Sequence, residues 1–182
     1  MQFRPTSLAG VVEIAIDWQR DARGVFGRTF CQDEFGKYGL QTELAQCNIS
    51  RNPRAGTVRG FHLQAKPQQE AKLIQCVMGR LFDVALDLRG GSPTYGRHHA
   101  IELSAAEGLM LYIPEGCAHG FQTLENDTTI IYYVSASYAP TSARGVRWND
   151  PALHVAWPLV ESAIVSERDQ AWPLLANYAA DT

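Results

Sequence analysis

The chain has no apolar run of roughly 18 residues, the length that a membrane-crossing helix requires, so no transmembrane helix is expected. Residues 1–10 lack a basic region followed by an apolar stretch. No secretory signal is therefore expected, and the reading is a cytoplasmic protein. There is no CxxC pair. Cys31, Cys47, Cys76 and Cys117 are scattered and read as reduced thiols, mostly buried as small apolar residues. A strong charge of one sign is also lacking: 16 basic against 19 acidic residues leave a net charge of −3. That balance predicts attraction neither to nucleic acid nor to an anionic membrane surface. It leaves open a local basic site for one small anionic ligand, because net charge does not report local fields. No internal repeat and no low-complexity segment interrupts the chain.

What is present is ordinary globular composition, with 46% hydrophobic and 19% charged residues over 182 positions. The expectation is one domain over residues 1–182, long enough to bury a sizeable core. Strand-like runs fall at residues 11–17, 24–30, 45–50, 58–64, 72–78, 81–88, 98–103, 108–113, 120–124 and 129–135. Turn residues separate them: Asn52-Pro-Arg-Ala-Gly56, Lys66-Pro67, Gly79, Gly90-Gly-Ser-Pro93, Pro114-Glu-Gly116 and Asn126-Asp127. One short helix is expected at 33–38, and a short helix or ordered arm within 160–182. The chain thus divides into N-terminal strands (1–50), a barrel core (51–140) and a C-terminal arm (141–182). Many short strands at this spacing point to an all-β sandwich or barrel.

Alternation assigns faces, because successive side chains of a strand point to opposite sides. His62 and Gln64 share one face and Phe61 and Leu63 the other. Asp83, Ala85 and Asp87 oppose Phe82, Val84, Leu86 and Leu88. Tyr132 faces away from Tyr133. One apolar face and one face with isolated polar groups is the pattern of a small barrel with a functional lumen.

Two segments concentrate the chemistry. The first is Arg59-Gly-Phe-His-Leu-Gln64, followed by Glu70 and Lys72; the second is Pro114-Glu-Gly-Cys-Ala-His119. A histidine, a carboxylate several residues on, then Pro-x-Gly-x-x-His resembles the paired motifs of cupins. That resemblance implies a jelly-roll barrel with both histidines in the lumen. Many cupins hold a metal through His-x-His, Glu and a second-motif His. Here Gln64 stands at the second position of His-x-His. His62, Glu70 and His119 remain as candidate ligands, one short of the usual four and missing an imidazole. No metal is expected. The other use of His62 is acid–base chemistry, since imidazole changes charge near neutral pH. Such a base needs an orienting carboxylate. It also needs a group to hold the negative charge that develops when a proton leaves beside a carbonyl. Lys72, at the start of the next strand, is placed for that second task.

At these residues the chain resembles the dTDP-4-dehydrorhamnose 3,5-epimerase family. The resemblance runs from about Phe3 to Leu175. It rests on Asp21-x-Arg-Gly-x-Phe26, Gln46-x-Asn-x-Ser50, Arg59-Gly-x-His-x-Gln64, Ala71-Lys-Leu and Phe82-Asp-Val-x-x-Asp-Leu-Arg89. Ser92-Pro-Thr-Tyr-Gly96, Ile113-Pro-Glu-Gly-x-Ala-His-Gly-Phe121 and Trp148-Asn-Asp-Pro151 complete it. It implies a cupin-like jelly-roll β-barrel with a few short helices, mostly at the C-terminal end. The implied substrate is a nucleotide-diphosphate 4-keto sugar, and the implied reaction moves protons at the carbons flanking its carbonyl. By resemblance His62 is the base, Asp169 its paired carboxylate, Lys72 the enolate-stabilising cation and Tyr132 the acid on the opposite face. Arg23, Arg59 and Arg168 match positions near the phosphates and nucleotide, and Arg28 is counted with them as a substrate-binding residue; Gln46, Asn48 and His119 match further substrate contacts. The resemblance implies no cofactor, since the substrate's own carbonyl is the electron sink, and a homodimer whose subunits exchange N-terminal strands. Three positions depart from the rhamnose-pathway pattern: Arg28 and Ala143 where glutamate is usual, and Tyr133 where lysine is common. Two other readings compete. One is a metal-dependent cupin isomerase or dioxygenase; the other is a non-catalytic cupin that binds a nucleotide sugar.

Overall fold

The computed structural model describes residues 1–179; residues 180–182, the end of the expected C-terminal arm, lie outside the described residues. In chain order the elements are β1 (Gln2–Pro5), β2 (Val12–Ala15), β3 (Gln19–Asp21), β4 (Gly24–Phe26), α1 (Gln32–Lys37), β5 (Gln46–Asn52), β6 (Thr57–Gln64) and β7 (Lys72–Met78). There follow β8 (Arg80–Asp87), β9 (His98–Ser104), β10 (Leu109–Ile113), β11 (Cys117–Thr123), β12 (Thr128–Val134), β13 (Ala143–Gly145), β14 (Ile164–Val165) and α2 (Glu167–Gln170). Single 3₁₀ turns sit at 151–153, 160–162 and 175–177. The all-β expectation holds, and most of the helical pieces lie toward the C-terminal end.

Apart from the β3–β4 hairpin, the strands form two facing sheets. The first runs β1-β2-β10-β7-β12-β5, and the second runs β13-β6-β11-β8-β9 with β14 parallel to β6. Between them lies an apolar core: Ile74, Leu111, Ile113 and Ile130 from the first sheet meet Leu81, Ala85, Leu103 and Phe121 from the second. Both outer faces are covered too. The C-terminal segment lays Trp148, Leu153 and Trp157 on Phe61, Val84 and Leu86, and α1 brings Phe35 against Ile14, Met110 and Tyr112. Coverage on both sides explains why β11 is buried along its whole length although its sequence does not alternate. Each large apolar side chain buried this way stabilises by about 1.5–3 kcal/mol. A polar group admitted between the sheets therefore stands out against a costly background.

Three details depart from the expectation. The strand expected over 24–30 stops at Phe26, because its ladder partner β3 is itself only three residues long. The strand expected over 11–17 ends at Ala15. β1, β3, β13 and β14 were not anticipated. Each is short, and each owes its conformation to pairing with another strand rather than to its own pattern. Pro5 closes β1 at a sheet edge, where a missing N–H costs least.

Candidate active site

A cleft of about 460 Å³ opens between the two sheets. The first sheet supplies Gln46 and Asn48 from β5, Lys72 from β7 and Tyr132 from β12. The second supplies Arg59, His62 and Gln64 from β6, His119 and Phe121 from β11 and Arg144 from β13, and α2 adds Arg168 at the rim.

His62 reaches the cleft because β6 alternates: Phe61 and Leu63 pack outward with Trp157, and His62 and Gln64 face inward. At Gly60 the backbone has φ +133, and a Cβ would overlap the backbone of Gly120. Only glycine lets β6 and β11 approach there. His62 Nε2 lies 2.6 Å from Asp169 Oδ1. Asp169 Oδ2 accepts the Gly60 N–H at 3.3 Å. The Ser166 hydroxyl caps α2 by accepting the Asp169 N–H at 3.1 Å, which fixes where the carboxylate stands. Burial works to raise the Asp169 pKa, but the hydrogen bond and charge of His62, with the Gly60 N–H, outweigh it and hold the carboxyl below its ordinary value. An ionised, buried carboxylate on one ring nitrogen orients the imidazole and leaves the other nitrogen for the cleft. The His62 side chain is 38% exposed there, and that of Asp169 only 5%.

His119 is the register partner of His62 across β6 and β11. Its Nε2 lies 2.6 Å from Asp83 Oδ1, and both side chains are buried. Asp83 Oδ2 has no hydrogen-bond partner among the described residues. Alternation puts Asp83 on the inward face of its strand but assigns it no role, because no spacing rule ties position 83 to position 119.

Lys72 starts β7 as expected and is buried; it donates to the His62 carbonyl oxygen at 3.1 Å and pairs with Glu70 at 3.1 Å. Gln64 is also buried. Its amide nitrogen lies within 3.2 Å of Gln68 O, Glu70 Oε2 and Ser137 O, and its oxygen accepts the Ala139 N–H at 2.6 Å. Glu70 is thus held by Lys72 and Gln64 rather than open to a cation. Among the described residues no group of three or more His, Cys, Asp or Glu side chains is placed to hold a metal. The donor set His62, Glu70, His119 does not fit a metal centre.

Tyr132 stands on the wall opposite His62. Its ring meets His119 edge-on, with centroids 6.0 Å apart at 71°, and Tyr133 packs away from the cleft with α1. Burial pushes the Tyr132 hydroxyl well above the usual phenol range, against the opposing pull of Ser50 and Arg59. It is therefore protonated at neutral pH and can donate.

Arg59 lies at the cleft with its Nε donating to Asn52 Oδ1 at 3.1 Å. Arg168 sits 5.5 Å over the Trp172 ring. Arg144 and Tyr138 also line the cleft and were not anticipated. The Tyr138 N–H donates to Gln46 Oε1 at 3.0 Å. Two expected binding residues are not brought in. Arg23 lies on the β3–β4 hairpin, its side chain 90% exposed and paired with Asp21 at 2.6 Å. Arg28 pairs with Glu34 at 3.4 Å.

The dTDP-4-dehydrorhamnose 3,5-epimerase family model matches residues 5–177. A dTDP-4-dehydrorhamnose 3,5-epimerase of Sinorhizobium fredii is 43% identical over 177 residues, which are 97% of this chain and 91% of that protein. The crystal structure of the Elizabethkingia anophelis dTDP-4-dehydrorhamnose 3,5-epimerase superposes with a TM-score of 0.94 at 36% identity, covering 98% of this chain and 99% of that one. The Legionella pneumophila dTDP-6-deoxy-D-glucose-3,5-epimerase, solved in complex with dTDP-4-keto-L-rhamnose, superposes with a TM-score of 0.92 at 32% identity, covering 98% and 94%. Fold, sequence and cleft agree, and this chain belongs to the dTDP-4-dehydrorhamnose 3,5-epimerase family.

Proposed function

We propose that the chain inverts C3, C5 or both of a dTDP-linked 4-keto-6-deoxy sugar; inversion at both carbons converts dTDP-4-dehydro-6-deoxyglucose to dTDP-4-dehydrorhamnose. The observation that carries this reading is the placement of an Asp-backed histidine, His62, and a protonated tyrosine, Tyr132, on opposite sheets of one cleft. Inversion needs a base on one face of a carbon and a proton donor on the other. A single group tends to return the proton where it came from.

In this reading His62 takes the proton from the carbon beside the 4-keto group. The bonding electrons move into the carbonyl, and the O4 enolate forms against Lys72 and His119. Tyr132 delivers a proton to the opposite face, and the carbonyl re-forms. The carbonyl serves as electron sink throughout, so no cofactor takes part. A preorganised enolate donor is worth about 3–4 kcal/mol, and each acid–base partner about 10²–10⁴ in rate. Arg59 and Arg168 are assigned to the diphosphate, for which the planar guanidinium fork is suited. Gln46 and Asn48 are assigned to the sugar and nucleoside.

Arg23 and Arg28 join the site through a homodimer. Val25 and Phe26 on the hairpin are 52% and 70% exposed, and β5 is an open sheet edge beside the cleft. A partner's hairpin laid along that edge would cover the apolar pair and bring two cations to the ligand. The site of action is the cytoplasm. Incubation with a panel of nucleotide-linked 4-keto sugars in heavy water tests the reading. Deuterium entering C3 or C5 of the dTDP sugar, with inversion, is expected; no exchange with any member of the panel would overturn it.

A further inference from the structure

Trp172 lies just beyond α2 and beside the His62–Asp169 pair, and it takes no part in the proton transfers proposed for the cleft. Its ring meets that of His62 with centroids 6.3 Å apart at 64°. Its other side rests on Gly145, where a Cβ would collide with the indole. Gly145 is the register partner of His62 on β13, so the ring packs beside the base strand. The backbone around Trp172 is tied to the same region: Arg147 Nε donates to Trp172 O at 3.4 Å, and the Arg147 N–H to Pro173 O at 2.9 Å. Arg168 stacks over the ring at 5.5 Å. The indole Nε1 is buried without a hydrogen bond among the described residues, so the ring contacts are what tie Trp172 to the pair.

We propose that Trp172 is a positioning residue for the His62–Asp169 pair: its ring, seated on Gly145 and edge-on to His62, holds the imidazole in place against the carboxylate. The proposal rests on the reading of His62 as the base. A loosened base loses rate steeply with displacement.

Two variants test the proposal. Trp172→Phe keeps a ring for Gly145 and Arg168. Its KM and kcat should both stay within about threefold of wild type, since the ligand contacts and the ring beside His62 are kept. Trp172→Leu removes the ring, and its kcat should fall by about tenfold or more, as expected for a displaced base. A purely structural role would lower the melting temperature of Trp172→Leu without lowering its kcat. A wild-type kcat in folded Trp172→Leu overturns the proposal, and where that variant does not fold, a loss of about tenfold in kcat in Trp172→Phe, which keeps the ring, overturns it instead. Failure of the underlying reading is distinguishable, since it would show as full proton exchange in His62→Asn.

Discussion

His62 and His119 are register partners across the β6–β11 ladder, and each imidazole has its Nε2 2.6 Å from an aspartate, Asp169 for the first and Asp83 for the second. The two pairs differ in surroundings. Asp169 is shared with the Gly60 N–H and stands at the edge of the cleft, whereas Asp83 is fully buried with one oxygen unpartnered. The first pair suits a group that exchanges protons with the ligand, and the second suits a fixed contact to the ligand's oxygen.

Asp83→Asn tests that second pair. The carboxamide replaces an acceptor-only group with a donor and acceptor, so the His119 ring loses its fixed partner. The expected result is a loss of about 1–3 kcal/mol in stability and a fall in kcat of about 10²-fold. Urea unfolding and steady-state kinetics measure the two separately. An unchanged kcat would remove His119 from the enolate site.

Much of the site was legible in the sequence. Alternation places His62 with Gln64 and separates Tyr132 from Tyr133, and the structure has both arrangements. What was not legible came from contacts set by the fold alone. Asp83 and His119 are 36 positions apart and meet because β8 and β11 pair. The sequence places Lys72 at the site, but its ion pair with Glu70 and its bond to the His62 carbonyl come from the fold. Arg23 points away from this chain's cleft, since β3 and β4 form a separate exposed hairpin, and Arg28 pairs with Glu34.

Asp87 gives a stability prediction. It is fully buried and accepts hydrogen bonds from Arg89 Nε and Nη2, Ser92 Oγ and Thr94 Oγ1 at 2.6–2.9 Å, pinning the 88–97 loop. Burial alone would raise its pKa, but these donors together force it far below the carboxylate range. A depressed folded pKa adds stability above the unfolded value, near ~4, and that stability is lost as pH falls through the folded value. Asp87→Asn should cost about 3 kcal/mol at pH 7. The gap between wild type and variant should narrow as the pH drops below about 4. Denaturant unfolding from about pH 3 to about pH 7, a range that spans the unfolded carboxylate value, checks it.

Lys72→Met removes the cation beside Glu70 and the His62 carbonyl. If it holds the enolate, kcat should fall by about 10²–10³-fold with a smaller change in KM. A rise in KM alone would assign Lys72 to ground-state binding.

Tyr132→Phe should uncouple exchange from inversion. His62 still removes and returns the proton on its own face, so deuterium from the solvent enters with retained configuration, while inversion falls by about 10²-fold or more. NMR of the sugar after incubation in heavy water reads both. Inversion at the wild-type rate would move the acid role elsewhere in the cleft.

The most direct test of the account is solvent deuterium incorporation into the 4-keto sugar by His62→Asn, compared with wild type. The account predicts that exchange at C3 and C5 disappears while the variant stays folded. Exchange persisting at the wild-type rate would contradict His62 as the base.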